Sequence, residues 1–158
     1  MAKRDSSFKD SRTATRFAAV QALFSLDSNP GIDPTSLIED FIAERSGDNI
    51  DGFQLGRLNR TLFKSIVKNA WEQRQDLDDM LQGVLPEGWM CEKMDAVFRA
   101  ICRTGLYELS DTREPKVAVI INEYVEIAKD FFEGKEPGLV NALLDNLSRS
   151  LHPEVFEK

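Results

Sequence analysis

Apolar residues recur at helical spacing along almost the whole chain, and no stretch shows the alternation of a half-buried strand. From Thr13 to Leu26 the positions Phe17, Val20, Leu23 and Phe24 fall on one face. Asn29-Pro30-Gly31 stops that helix. Asp33-Pro34 starts a second, with Asp33 as N-cap, Pro34 at the first helical position, and Leu37, Ile38, Phe41 and Ile42 buried. Ser46 to Gly52 reads as a polar, mobile connection. A third helix is predicted from Phe53 to Glu72, with Leu55, Leu58, Leu62, Ile66 and Ala70 inward and Arg57, Arg60, Lys64 and Lys68 opposite.

Leu77, Met80, Leu81 and Val84 predict a fourth helix, ended by Pro86-Glu87-Gly88. The fifth is predicted from about Cys91 to Leu109, burying Met94, Phe98, Ile101, Gly105 and Leu109. After a turn at Ser110-Asp111-Thr112, Pro115 opens a sixth. Its apolar stripe runs from Val117 through Ile120, Ile121, Tyr124, Val125 and Ala128 to Phe132, and Gly134 ends it. Pro137-Gly138 lies at the start of a seventh, with Val140, Leu143, Leu144, Leu147 and Leu151 inside. The pattern is an all-α fold of about seven helices. Its boundaries are a basic arm over 1–12, one helical domain over 13–152, and a tail over 153–158.

Composition narrows the function. The 158 residues carry a formal charge of −7, which excludes a globally basic nucleic-acid binder. The charge is uneven. Lys3, Arg4, Lys9, Arg12 and Arg16 outweigh Asp5 and Asp10 in the first 16 residues, whereas the remainder holds 15 basic and 25 acidic residues. A small basic arm thus sits on an acidic body. No apolar run approaches the ~18 residues of a membrane span. The N-terminus has no apolar core for a signal peptide, so a cytoplasmic location is expected. Cys91 and Cys102 follow no metal-binding pattern and suit a reducing compartment, and His152 is the one histidine.

Candidate chemistry is sparse. Glu123 and Glu126 are three apart on one helix face, a spacing that can hold a metal, but without further ligands they read as surface charge. Cys102 lies in an apolar pattern and reads as core. No glycine-rich phosphate loop or nucleophile elbow appears, so neither an enzyme nor a bound cofactor is expected. Arg103 and Tyr107 share a face of the fifth helix. Arg103 could stack on Tyr107, pair with an acid inside the domain, or anchor a partner protein. Asn141 and Gln21 could satisfy backbone groups or hydrogen-bond a base.

Four segments together carry a resemblance. Arg16 followed by Ala19-Val20-Gln21-Ala22-Leu23-Phe24 resembles the R-x-x-A-V-Q-A-L-[YF] opening of the NusB transcription antitermination family. Arg103-Thr104-Gly105-Leu106-Tyr107-Glu108-Leu109 resembles its R-x-A-x-Y-E-L segment. Ile121-Asn122-Glu123-Tyr124-Val125-Glu126-Ile127-Ala128-Lys129 is similar to I-N-E-x-[VI]-E-[LI]-A-K, and Val140-Asn141-Ala142-Leu143-Leu144-Asp145 to V-N-G-V-L-D. The blocks occur in family order from Arg16 to Asp145.

The resemblance implies seven helices in two small bundles and a non-enzymatic role. It implies binding of single-stranded boxA-type RNA together with the ribosomal protein NusE, and read-through by RNA polymerase, notably in ribosomal RNA operons. It assigns RNA contact to Arg12, Arg16 and Gln21, to Arg4 and Lys9 from their place in the arm, and to Leu139 and Asn141 at the start of the last helix. Arg103 and Tyr107 resemble part of the surface near NusE. Relatives of this kind occur as monomers or homodimers. The chain also departs from the pattern. Arg12-Thr13-Ala14-Thr15-Arg16 replaces a denser arginine run, Pro137-Gly138 replaces basic or polar residues, Leu139 stands for Phe, and Ala142 for Gly. Fewer cations release fewer counterions, so weaker intrinsic RNA binding is expected. The alternative is a helical protein–protein module with weakened or lost RNA binding. The same fold opens some RNA cytosine-5 methyltransferases; with 158 residues in this chain, that variant is not expected.

Overall fold

The computed structural model describes residues 11–45, 58–112 and 116–156. The helices are α1 (Ser11–Ser28), α2 (Pro34–Glu44), α3 (Arg60–Glu72), α4 (Arg74–Gln82), α5 (Ala96–Asp111), α6 (Val117–Phe131), α7 (Glu136–Leu151) and the single turn α8 (Pro153–Phe156). No strand occurs among the described residues. The chain forms two compact units, residues 1–68 and 69–158, so the division falls inside α3. Residues 153–156 are helical and pack on α7.

In the first unit, Asp33 caps α2 by accepting from the Ser36 N–H at 3.1 Å, and Pro34 fills the position that needs no donor. α1 buries Ala18, Ala19, Val20, Ala22, Leu23 and Leu26. Phe24 is 37% exposed, against the expectation of burial, because the inward face of α1 is built on alanines and centred away from it. The Phe41 and Phe63 rings stack with centroids 5.8 Å apart, which ties α2 to α3. α3 begins at Arg60 rather than Phe53, since Leu58 and Asn59 are not helical. Asn59 caps it by accepting from the Leu62 N–H at 3.0 Å, and its own N–H donates to Thr15 Oγ1 at 2.8 Å. The expected loop over 46–52 and the residues 53–57 lie outside the described residues.

The second unit is built around α5, which is buried at Phe98 and at every position from Ala100 to Leu109. A helix enclosed on all sides needs neighbours on all sides, and α4, α6 and α7 supply them. Gly105 permits the closest approach: a Cβ there would lie 2.9 Å from Leu144 Cδ1 and 3.2 Å from Tyr124 Cγ. The polar groups of α5 are satisfied inside the unit. Thr104 Oγ1 donates within reach of the Ala100 and Ile101 carbonyls, and Glu108 accepts from the Tyr124 hydroxyl at 2.5 Å. α5 starts later than its apolar period suggests. Cys91–Lys93 form a 3₁₀ turn, and Asp95 caps the helix by accepting from the Val97 and Phe98 N–H groups at 2.8 and 3.1 Å.

Candidate functional site

The expected contact residues divide between the two units. In the first, Arg12 is exposed in the opening turn of α1, and Gln21 is half-buried with no side-chain hydrogen bond to a described residue. Arg16 is different: it is 9% exposed and engaged with other groups, next to the fully buried Thr15. A guanidinium so enclosed offers little to a phosphate. Its first role is inside the fold. Arg4 and Lys9 lie outside the described residues. Arg60, Lys64 and Lys68 are exposed along α3, and Arg57 is outside the described residues.

In the second unit, α7 presents Asn141 to solvent without a side-chain hydrogen bond to a described residue. Arg103 and Tyr107, expected at a partner surface, are instead buried on α5. Arg103 Nε and Nη2 donate to the two carboxylate oxygens of Asp78 on α4 at 2.8 and 2.7 Å. The Tyr107 hydroxyl accepts from Asn69 Nδ2 at 3.1 Å. Of the alternatives open for Arg103, the internal acid is the one realised. Glu126 pairs with Lys129 at 3.0 Å, and no cluster of three possible metal ligands occurs among the described residues.

Leu139 leads to a feature that residue types alone did not single out. It lines a cavity of about 350 Å³ together with Trp89, Met90, Met94 and Phe98. Lys93 and Lys135 also line it, as do Asp95 and Glu136. The loop carrying Trp89 is tightly held. Gly88, at φ +88°, takes the third place of a turn closed by the Trp89 N–H donating to the Pro86 carbonyl at 3.0 Å. Gln82 Nε2 donates to the Trp89 carbonyl at 2.7 Å, and Gln82 Oε1 accepts from the Cys91 N–H at 2.8 Å. Arg99 Nη1 reaches the carbonyls of Cys91, Glu92 and Met94 at 3.2, 3.3 and 3.1 Å. The only sequence signal was an aromatic–thioether pair placed just after a Pro-Glu-Gly turn.

A family model described as the NusB family matches residues 13–149. The chain belongs to the NusB family. The transcription antitermination protein NusB of Sinorhizobium fredii (strain NBRC 101917 / NGR234) is 38% identical over 143 residues, covering 90% of this chain and 89% of that protein. Among solved structures, T. maritima NusB superposes with a TM-score of 0.77 at 24% identity, over 96% of this chain and 100% of that one. A crystal structure of the antitermination factors NusB and NusE in complex with dsRNA matches with a TM-score of 0.71 at 21% identity, over 89% of this chain and 97% of that one. At those identities the superpositions establish the NusB fold, and the family follows from the sequence match. No described helix of this NusB-family chain is long and apolar enough to cross a membrane.

Proposed function

We propose that the chain is a transcription antitermination factor that binds boxA-type RNA together with NusE and promotes read-through by RNA polymerase, notably in ribosomal RNA operons. The observation that carries this reading is the 38% identity, over 90% of the chain, to a protein named for transcription antitermination. The fold shared with the NusB of a NusB–NusE–RNA complex supports the partnership. The role is one of binding rather than catalysis, exercised in the cytoplasm, and no cofactor enters it.

The basic arm supplies phosphate contacts, with Arg12 as its exposed member on α1. Gln21 on α1 and Asn141 on α7 offer polar groups to unstacked bases. Because the arginine run is thin and Arg16 is enclosed, RNA binding by the chain alone is weak, and NusE strengthens it. Fluorescence anisotropy of labelled boxA-type RNA, across a salt series with and without NusE, tests this. Tighter binding with NusE is expected, together with a loss of affinity in Arg12→Ala that leaves NusE binding intact. Equal affinity in both conditions, or an Arg12→Ala variant that binds like the parent, overturns the assignment.

A further inference from the structure

We propose that the outward face of α3 carries the phosphate backbone of RNA flanking the boxA-type element, with Arg60, Lys64 and Lys68 as a sequence-independent track that continues from Arg12. The inference rests on the RNA-binding reading above and adds a second site on the first unit, at residues to which the family motifs assign nothing.

The track begins in the sequence. No acid occurs between Phe53 and Trp71, in a chain whose Asp and Glu outnumber its Lys and Arg by 27 to 20. Arg60, Lys64 and Lys68 follow at four-residue steps, so they span about 80° of the helix surface and stand about 6 Å apart along its axis. All three are exposed, and none has an ion pair or a side-chain hydrogen bond with a described residue. Exposed cations on other helices do meet an acid: Lys129 meets Glu126 and Arg149 meets Asp145, each at 3.0 Å. Like charges one turn apart repel and weaken a helix, so the fold gains nothing from this row. A polyanion laid along it turns the repulsion into attraction.

The row is continuous with the arm. Thr15 Oγ1 on α1 accepts from the Asn59 N–H at 2.8 Å, which pins the start of α3 to α1. Arg12 stands three residues before Thr15, and Arg60 directly follows Asn59, so both exposed cations lie within one helical turn of that bond. A strand held at Arg12 therefore reaches Arg60 and then Lys64 and Lys68 in order.

A nucleic-acid backbone suits this face better than a protein does. Protein interfaces centre on aromatic and apolar anchors and are depleted in Lys. Among the described residues the exposed large apolar side chains are Phe24, Ile32, Trp89, Met90 and Val119, and none of them is on α3. Contacts to phosphates carry no sequence information, so the track adds affinity and leaves base choice elsewhere.

The test is anisotropy with the full chain, with and without NusE, comparing a bare boxA-type RNA with the same RNA extended on either side by nucleotides of arbitrary sequence. Extension on one side is expected to tighten binding by the parent about tenfold. Arg60→Gln/Lys64→Gln/Lys68→Gln keeps good helix formers and is expected to lose that gain, with a salt slope flatter by about 2 on the extended RNA, at about 0.7 per contact. Its binding of the bare RNA should match the parent, which also shows that it is folded. Lys64→Gln/Lys68→Gln leaves the start of α3 untouched and should flatten the slope by about 1.4. If extension adds nothing in the parent, or the triple variant keeps the full gain, the track is overturned while the antitermination reading stands. Loss of NusE binding with the gain intact also overturns it, marking a protein face. Absence of binding to either RNA by the unaltered chain, with or without NusE, overturns both.

Discussion

Arg103 holds Asp78 through two parallel hydrogen bonds, Nε to Oδ1 at 2.8 Å and Nη2 to Oδ2 at 2.7 Å, and so fastens α5 to α4. The side chains are 7% and 22% exposed, so the pair is largely withdrawn from solvent. Breaking such a pair strands a charge, and Arg103→Ala should destabilise the chain by about 3 kcal/mol. Arg103→Lys keeps the charge but loses the planar fork, and should cost about 1–2 kcal/mol. Urea unfolding measures both. A residue acting only as a partner anchor would leave the unfolding curve where it was.

The same neighbourhood protects the cysteines. The Cys91 thiol is pushed up to about 11, first by burial and then by the charge and hydrogen bond of Asp78, against the lowering influence of Arg103 and Arg99. Burial pushes the fully enclosed Cys102 thiol up as well. Both shifts favour the protonated form in the folded state. Their contribution to stability is whole below the unfolded value and is lost as pH rises through the folded one. Urea midpoints should therefore hold to about pH 8 and fall between about pH 9 and 11, with a shallower fall in Cys91→Ala. At about pH 8 the folded chain should also react with a thiol reagent about a hundredfold more slowly at Cys91 than the denatured chain does. Rapid labelling of the folded protein would refute the protection.

Helices were legible where local chemistry decides them, and less so where a distant partner does. Asp33-Pro34 announced α2, and its cap forms as the residue types require. Cys91 and Met94 keep the apolar period of α5, so spacing alone extends that helix backwards through a 3₁₀ turn, although Asp95 is the cap. For Arg103 and Tyr107 the sequence left stacking, an internal acid and a partner surface open. Their partners, Asp78 and Asn69, lie 25 and 38 residues away, beyond any local window. Arg16 was assigned an RNA contact by its match to the family's opening motif, whereas its burial depends on tertiary packing. The cavity was hidden for the same reason: Trp89 and Leu139 meet only once α5 and α7 are packed.

Thr15 shows what one departure from the arginine-rich pattern does. Its fully buried hydroxyl accepts from the Asn59 N–H at 2.8 Å, and Asn59 in turn caps α3. Thr15→Val keeps the shape but leaves that N–H unpaired, and should cost about 1–2 kcal/mol. Asn59→Ala should cost about 1 kcal/mol through the lost cap. The two lie in one hydrogen-bonded chain, so the double variant should depart from additivity by at least about 0.5 kcal/mol in thermal unfolding. Strict additivity would show that the two helices do not share this link.

Gly88 offers the sharpest test of how the Trp89 loop is held. At φ +88° it occupies the left-handed region, and its turn is closed by the Trp89 N–H on the Pro86 carbonyl at 3.0 Å. An added Cβ would meet no atom within 4 Å, so any cost of Gly88→Ala comes from the backbone and not from crowding. That cost should be about 1–2 kcal/mol. Gly31 is the matched control, with nothing within 4 Å of its Cβ position and no positive φ. Gly31→Ala should be neutral or stabilise by up to about 1 kcal/mol, since it restricts only the unfolded chain. Gly88→Ala should therefore lower the melting temperature, and Gly31→Ala should not. Parallel thermal melts of the two variants decide it: equal melting temperatures would mean the turn relaxes freely and does not hold Trp89 in place.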